Sequence, residues 1–325
     1  MLTIGVLGAA RITRDALVRP ASQLDGVEVA ALAARDPRRA ADAARSLRIP
    51  RVHDSYTSLL ADKSIDAVYN PLPNGLHGRW TMAAIAAGKH VLCEKPFTAN
   101  ADEARTVARA AAGSGLIVME AHHSSHHPQT KRAAELVRSG ILGELVSAQA
   151  SFIVPMPPSH DIRWNLALAG GSLMDLGCYP LRWLRDVLGV VPTVTSATAH
   201  DRDGIDASMD ARLDYAGTRA RVRAAMWSRR LLVITAEVRG TAGVMKVRMP
   251  FMPQLKGRIR VDGPGMRVRE RADPRSSYSF QLEAFRDAVV AGGPNITDSD
   301  AAVETMETID EIYRAAGMDA RQPTA

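Results

Sequence analysis

Two short motifs contain the side chains best suited to chemistry. One is Glu94-Lys95-Pro96, and the other, residues 169–180, contains Asp175 and Tyr179. Asp175 and Tyr179 are four residues apart, a spacing that brings both side chains to one face of a helix. A phenol can give or accept a proton while an ammonium or carboxylate holds the reacting oxygen. The motifs therefore indicate acid–base chemistry at a substrate oxygen.

A glycine-containing turn follows the first apolar run of the chain. It consists of Gly8, Ala9, Ala10, Arg11 and Ile12. A turn at this place lets backbone amides at the start of a helix approach a pyrophosphate. The fingerprint is imperfect, because Ala10 and Thr13 stand where further glycines are expected. Taken alone, the segment also fits an ordinary strand-to-helix turn.

The second apolar run ends in Ala34-Arg35-Asp36. An NAD-selective protein places a carboxylate at the position of Ala34, where it binds the ribose hydroxyls. Small Ala34 leaves room for a 2′-phosphate, and Arg35, helped by Arg38 or Arg39, can bind it. We therefore expect NADP rather than NAD. Two alternatives stay open: the arginines could simply solvate a helix start, and Asp36 could turn toward the ribose.

The elements that must position these motifs alternate in the first third of the chain. Predicted strands are Thr3–Leu7, Val27–Ala33, Ala67–Tyr69, His90–Cys93 and Leu116–Met119. Predicted helices are Asp15–Leu24, Pro37–Leu47, Tyr56–Ala61, Gly78–Ala87 and Ala101–Gly113. This alternation predicts an α/β domain, residues 1–121, with a doubly wound parallel (Rossmann) sheet.

A different pattern follows over residues 122–325. Helices are expected over Gln129–Ser139 and near Gly171–Leu188, and a loop rich in proline over Pro155–Trp164. Thr193–Arg271 alternates with period two, which predicts an open, largely antiparallel sheet. Helices near Ser279–Ala291 and Ser299–Ala316 precede a polar tail that we expect to be mobile. This part is expected to form an α+β domain.

The composition excludes several classes of protein. Over 325 residues the net charge is +6, but arginine is spread along the chain and no basic tract alternates with aromatic residues, so we expect no nucleic-acid partner. No window approaches the roughly 20 apolar residues of a membrane span. Cys93 and Cys178 are too few for a disulfide framework. We expect a cytoplasmic protein.

The most specific text runs from Asn70 to His77 and from Ala86 to Pro96. With residues 169–180, it resembles the glucose-fructose oxidoreductase, inositol dehydrogenase and rhizopine-catabolism (Gfo/Idh/MocA) family over nearly the whole chain. Many members carry histidine at the position of Tyr179. Tyrosine there is similar to the branch of dimeric dihydrodiol dehydrogenase and NADP-dependent xylose dehydrogenase.

The resemblance implies roles for individual residues. A phenol with a pKa near 10 is poorly poised for proton transfer, and a nearby ammonium lowers that pKa. Tyr179 is therefore expected to be the acid/base and Lys95 its electrostatic partner, although either could deliver the proton, and Asp175 a group that orients the substrate or Lys95. The alternative for Tyr179 is a core tyrosine with its hydroxyl satisfied locally. Glu94 is expected to hold the cofactor or Lys95. Further contacts to the cofactor are implied for Leu72, Pro73, Asn74, His77, Arg163 and Tyr278. Arg163 could instead bind a substrate anion, and the peptide before Pro96 could be cis.

The chain departs from its relatives after Ala121. Aromatic residues and an arginine usually stand there, whereas this sequence has His122, His123, His126 and His127 around two serines. We expect His122 and His126 to bind substrate hydroxyls, with His160 and Asp161, and His127 to cap the next helix. Two alternatives remain: a metal site, which Pro128 and the lack of a carboxylate ligand disfavour, and solvated side chains. We expect no metal.

These observations predict an NADP-dependent oxidoreductase that transfers a hydride to or from a CH–OH or C=O carbon of a sugar, polyol or cyclic diol. The alternatives are a nucleotide-sugar ketoreductase and a catalytically silent NADP(H)-binding regulator. The resemblance also implies a homodimer or homotetramer that assembles through the C-terminal sheet.

Overall fold

The computed structural model describes residues 1–158, 161–228 and 232–324. The chain divides into two compact units. The first contains residues 1–122, 278–303 and 323–325, and the second contains residues 123–277 and 304–322. Among the described residues, no helix is long and apolar enough to cross a membrane.

The first unit is built on a six-stranded parallel sheet. Its strands are β1 (Leu2–Leu7), β2 (Val27–Ala33), β3 (Arg51–His53), β4 (Ala67–Asn70), β5 (His90–Glu94) and β6 (Val118–Ala121). Their order is β3-β2-β1-β4-β5-β6. The direction of the strand order reverses between β1 and β4, and ligands of such sheets bind beyond the carboxyl ends of the strands at that point. The predicted doubly wound sheet is confirmed.

Helices connect these strands. They are α1 (Arg19–Ala21), α2 (Pro37–Leu47), α3 (Tyr56–Ala61), α4 (His77–Ala86) and α5 (Ala101–Ala112). The prediction of one regular helix over Asp15–Leu24 was wrong, because residues Arg14–Val18 form a π-helical turn before α1. α9 (Ser277–Ala291) completes the core by packing Leu282, Phe285 and Ala288 among the sheet's apolar side chains.

The second unit contains an eight-stranded sheet. Its strands are β7 (Leu145–Ile153), β8 (Thr193–Arg202), β9 (Ile205–Tyr215), β10 (Thr218–Ala225), β11 (Val233–Gly240), β12 (Val244–Arg248), β13 (Arg258–Gly263) and β14 (Met266–Arg271). The order is β14-β13-β12-β11-β7-β10-β9-β8, and β7 and β10 are the one parallel pair. The largely antiparallel sheet is therefore confirmed.

Helices of the second unit carry the second motif. They are α6 (His123–His126), α7 (Pro128–Arg138) and α8 (Cys178–Leu188). A π-helical turn, Leu173–Gly177, precedes α8, so the expected single helix begins with an irregular turn that contains Asp175. α10 (Ser299–Ala315) lies near the end of the chain.

The polar tail is held in place, which corrects the expectation that it is mobile. Arg321 is buried, and its guanidinium donates to the carbonyl oxygen of Gly170 and to the carboxylate of Asp206. In the first unit, the amide of Thr324 donates to the carbonyl oxygen of Gly75. A buried ion pair and backbone hydrogen bonds anchor a segment that its composition alone describes as solvated.

Candidate active site

The turn after β1 has the geometry that a dinucleotide needs. Gly8 adopts φ +100°, and a Cβ there would lie 2.9 Å from Leu72 Cδ2 in the loop after β4. Arg11 and Ile12 are exposed, while Ala9 and Ala10 are half-buried. A side chain at position 8 would both strain the backbone and close this approach. The cradle fits a pyrophosphate at the start of the following helical turn.

A small buried residue and two exposed charged residues lie at the tip of β2. Ala34 is buried, whereas Arg35 and Arg39 are exposed. The Asp36 carboxylate accepts hydrogen bonds from the amides of Arg38, at 2.8 Å, and Arg39, at 3.1 Å. Asp36 is therefore the N-cap of α2, and its carboxylate is engaged there rather than turned toward a ribose.

Tyr56 belongs to this corner of the first unit and was not expected from the sequence. Burial raises the pKa of its phenol, while a backbone hydrogen bond from Arg35 and the charges of Arg35 and Arg39 lower it. Its ring packs edge-on against Trp80 with 4.6 Å between centroids. The capping box of Ser55 and Ser58, which starts α3 at Tyr56, is the signal that could have located it.

The loops after β4 and β5 are joined by His77. Its Nδ1 lies 2.7 Å from the Pro96 carbonyl oxygen and its Nε2 lies 2.6 Å from that of Leu72. Burial, with the nearby Lys95 ammonium, lowers the pKa of the ring to about 4. The ring thus fixes the backbone that carries Leu72 and Lys95, and both nitrogens face protein carbonyls.

Lys95 follows β5 in a half-buried position, and the Lys95–Pro96 peptide is cis. The hydroxyl of Tyr69 donates to Glu94 Oε1 at 2.7 Å, which holds the neighbouring carboxylate. Pro73 and Asn74 are half-buried and lie at the start of the 3₁₀ turn that precedes α4. Tyr278 in α9 is also half-buried. All these residues lie in the first unit.

In the second unit, Asp175 belongs to an ion cluster. Arg163 Nε donates to Asp175 Oδ2 at 2.8 Å, and its Nη1 donates to Asp161 Oδ1 at 3.0 Å. The charge of Asp175, followed by that of Asp161, raises the pKa of the guanidinium. His160, which we expected beside Asp161, lies outside the described residues.

Tyr179 lies at the start of α8 with 7% of its surface exposed. Its ring packs edge-on against Phe152 and near Phe251. The hydroxyl oxygen lies 3.1 Å from His123 Nε2. The packing matches the alternative of a core tyrosine, while its hydroxyl partner is an imidazole, a group that can accept or donate a proton.

The four histidines after Ala121 are buried, so the alternative of solvated side chains is wrong. His127 has φ −72° and ψ 138°, and its Nδ1 accepts the amide hydrogen of Gln129 at 3.0 Å, which confirms the predicted helix cap. Burial, with Arg182 and Lys131, lowers the pKa of His126 to about 3. Over the described part of the chain, no three His, Cys, Asp or Glu side chains are grouped as a metal site.

His123 had no individual role in the sequence-based prediction. Its contact with Tyr179 crosses 56 residues of sequence, and no local spacing signals it. The structure thus adds Tyr56 to the first unit and His123 to the second as candidate functional residues.

Comparison with known proteins agrees with this geometry. Residues 2–122 match the model of an oxidoreductase family with an NAD-binding Rossmann fold, and residues 130–246 match the GFO/IDH/MocA C-terminal domain. A D-xylose 1-dehydrogenase (NADP(+)) of Haloferax volcanii is 41% identical over 320 residues, which cover 97% of each chain. Mouse trans-1,2-dihydrobenzene-1,2-diol dehydrogenase is 32% identical over 77% of this chain and 75% of its own.

The fold agrees as well. A crystal structure of KijD10, a 3-ketoreductase from Actinomadura kijaniata in complex with NADP and TDP-benzene, superposes with a TM-score of 0.88 at 28% identity, covering 97% of both chains. The predicted family, fold and enzyme class are all confirmed. The chain belongs to the Gfo/Idh/MocA family of oxidoreductases.

Proposed function

We propose that the protein is an NADP-dependent dehydrogenase that interconverts a hydroxyl and a carbonyl group on an uncharged sugar, polyol or cyclic diol. NADP is the cofactor, as in the Haloferax xylose dehydrogenase and the KijD10 structure. The buried Ala34 and exposed Arg35 support this choice, since they leave space and positive charge for a 2′-phosphate.

The ion pairs of Arg163 support one class of substrate over the other. If Arg163 bound a nucleoside diphosphate, its positive charge would have to be available to the anion. Two carboxylates, Asp161 and Asp175, already bind its guanidinium, so its donors are less available to an anion. Carboxylates are good acceptors for sugar hydroxyls. This arrangement favours an uncharged polyhydroxylated substrate over a nucleotide sugar.

Each predicted site residue keeps a proposed role. NADP would be held by Gly8 to Ile12, Ala34, Arg35, Arg39, Leu72, Pro73, Asn74, Glu94 and Tyr278, with His77 fixing the loops and Arg163 as a further candidate. Substrate would meet His122, His126, Arg163, Asp175 and Tyr179. NADP supplies a hydride acceptor or donor. Tyr179 moves the proton of the substrate oxygen, and the Lys95 ammonium polarises that oxygen.

We also propose roles for the two domains, an assembly and a location for the protein. We assign cofactor binding to residues 1–121, and substrate binding and oligomerisation to residues 122–325. A homodimer or homotetramer would form through the sheet of the second unit, and the enzyme would act in the cytoplasm.

The test is nicotinamide absorbance with purified enzyme, NADP or NADPH, and a panel of aldoses, inositols, dihydrodiols and nucleotide keto-sugars. We expect turnover of an aldose, polyol or diol, with NADP preferred to NAD. Lys95→Met serves as the matched control and should lose at least a hundredfold in kcat while NADPH still binds.

Other outcomes would contradict this function. Turnover of nucleotide keto-sugars alone would make the protein a ketoreductase. Tight NADPH binding without turnover of any class would favour a silent regulator, and full activity of Lys95→Met would exclude the assigned role of Lys95.

A further inference from the structure

A chain of hydrogen-bonding groups begins at the Tyr179 hydroxyl and lies within the second unit. Tyr179 Oη lies 3.1 Å from His123 Nε2, and His123 Nδ1 lies 2.8 Å from Ser277 Oγ. Ser277 Oγ in turn donates to Gln254 Oε1 at 3.1 Å. The His123 ring has 2% exposed surface and Ser277 has none, so this part of the chain is shielded from water, whereas Gln254 at its end is half-buried.

The protons of this chain have one consistent arrangement. Ser277 has a single hydroxyl hydrogen, which goes to the amide oxygen of Gln254, an atom that can only accept. Ser277 Oγ must then accept from His123, which places the ring hydrogen on Nδ1. His123 Nε2 is left with its lone pair, and the Tyr179 hydroxyl donates to it.

We propose that His123 is the residue through which Tyr179 acts: it positions the phenol and takes up its proton during alcohol oxidation. The proposal rests on the proposed function, because it concerns the acid/base of that reaction. His123 need not touch the substrate, so it is a positioning residue rather than a catalytic one.

The step balances in atoms and charge. The substrate carbon loses a hydride, with its electron pair, to the oxidised nicotinamide. The hydroxyl proton passes to Tyr179 Oη while the phenol's own proton passes to His123 Nε2. The products are a carbonyl compound, the reduced cofactor, a neutral Tyr179 and an imidazolium at His123. In the reducing direction the same protons move back.

This arrangement lets a phenol, whose usual pKa is far above neutral pH, serve as the acid/base of the reaction. An unperturbed phenol has a pKa of about 10, whereas an imidazole titrates near 6.5. A phenol that hands its proton to an imidazole never has to ionise alone in an apolar site. The base that must be unprotonated is then His123, so oxidation should be fast at neutral pH and should fail in acid.

Both apolar and charged groups lie on the elements around the ring. Phe152 of β7 and Phe251, after β12, surround Tyr179 with apolar surface. α8 contributes the Arg182–Asp186 pair, and the carboxylate of Asp186 also accepts from Ser125. His126 of α6 and Lys131 of α7 are titratable groups of the same region, as is His127, whose Nε2 donates to the Asp273 carbonyl oxygen.

The test compares His123→Phe, His123→Gln, Tyr179→Phe and the double variant Tyr179→Phe/His123→Phe. Phe keeps the aromatic packing, and Gln keeps a hydrogen-bonding group that cannot take up a proton. We expect both His123 variants to lose roughly a hundredfold in kcat for oxidation at pH 7 with little change in KM. Their rates should lack the loss in acid that His123 causes and should recover only in alkali.

The double variant distinguishes a proton relay from a general loss of structure at the site. Because His123 acts through Tyr179, the double variant should be no slower than Tyr179→Phe alone. Multiplied losses in the double variant, or a wild-type pH profile in His123→Gln, would overturn the proposal. NADPH affinity and the thermal unfolding midpoint, measured on each variant, show whether the fold is kept.

A second measurement does not depend on turnover. In ¹⁵N-histidine-labelled enzyme, the His123 resonance, assigned from its loss in His123→Phe, should report a hydrogen on Nδ1 and a hydrogen-bonded, unprotonated Nε2. Tyr179→Phe should shift the Nε2 signal. A hydrogen on Nε2 in the resting enzyme would exclude the relay, whereas inactivity of the wild-type enzyme on every substrate would count only against the proposed function.

Discussion

At the scale of single residues, the proposed preference for NADP rests on the tip of β2. Asp36 uses its carboxylate to cap α2, so the acidic group nearest to the ribose position is not directed at it. Ala34 adds no polar atom of its own. Discrimination between the two dinucleotides then depends on positive charge, and Arg35 is the first such group after the strand.

Arg35→Ala should weaken NADPH binding by about tenfold and leave NADH binding nearly unchanged. A charge-assisted hydrogen bond to a phosphate contributes about 1.5–3 kcal/mol, and the exposure of Arg35 places the effect at the lower end. Dissociation constants from nicotinamide fluorescence would measure it. Arg45→Ala is the matched control, since Arg45 is an exposed arginine of α2 that pairs with Asp42. Equal losses for NADPH and NADH would contradict the assignment.

At the scale of elements, the histidine-rich segment between β6 and α7 is fixed from both ends. Ser125 donates to Asp186 of α8 at 2.6 Å, and Thr130 of α7 donates back to the Ser124 carbonyl oxygen at 2.7 Å. His127 ends the segment as the cap of α7. These contacts hold α6 against α8, where His123 meets Tyr179.

The cap makes a prediction about stability and pH. Burial lowers the pKa of His127 below its usual value of 6.5, although the Asp273 carbonyl opposes this. The unfolded chain therefore binds the proton more tightly, and stability is lost as the pH falls below about 6.5. His127→Asn should keep the cap at pH 7 and reduce this acid sensitivity, whereas His127→Ala should cost about 1 kcal/mol at pH 7.

Urea unfolding of the three proteins at several pH values would test both effects. His126, which is present in all three, contributes the same acid sensitivity to each, so their difference isolates His127. An unchanged pH dependence in His127→Asn would show that the ring does not titrate on unfolding.

The elements also show what could be read from the sequence. β2, α2 and α3 have the predicted bounds, because clear periodicity and a capping residue mark each of them. β3 and β7 were missed. β3 has three residues, and β7 alternates small polar and apolar side chains that become a strand through pairing with β10 and β11, far along the chain. β6 was placed two residues early.

The same limit applies to the site. Lys95, Asp175 and Tyr179 stand in motifs that the resemblance to the family identifies. His123 and Tyr56 gain their candidate roles from contacts with residues that are distant in sequence, and no local pattern encodes such contacts.

At the scale of the whole molecule, the end of the chain supports the motif that carries Asp175 and Tyr179. Asp206 is fully buried and accepts from Arg321, from Tyr313 and from the Ser172 hydroxyl. A Cβ at Gly171, which has φ +139°, would collide with the Asp206 carboxylate. Gly171 therefore lets the backbone of the motif pass against a buried ion pair. This pair joins Asp206 to Arg321, which are 115 positions apart in the sequence.

Arg321→Met should lower the free energy of unfolding by about 3–5 kcal/mol, because it leaves the Asp206 carboxylate buried without its cation. Burial already raises the pKa of Asp206 and Arg321 opposes that rise, so the variant should be least impaired in acid, where the carboxyl is neutral. Asp206→Asn combined with Arg321→Met should recover much of the loss, since no charge stays buried. Arg314→Met, an exposed position of α10, is the control and should change stability little. Denaturant unfolding of these variants decides the matter: if Arg321→Met were as stable as Arg314→Met, the tail would not anchor the motif.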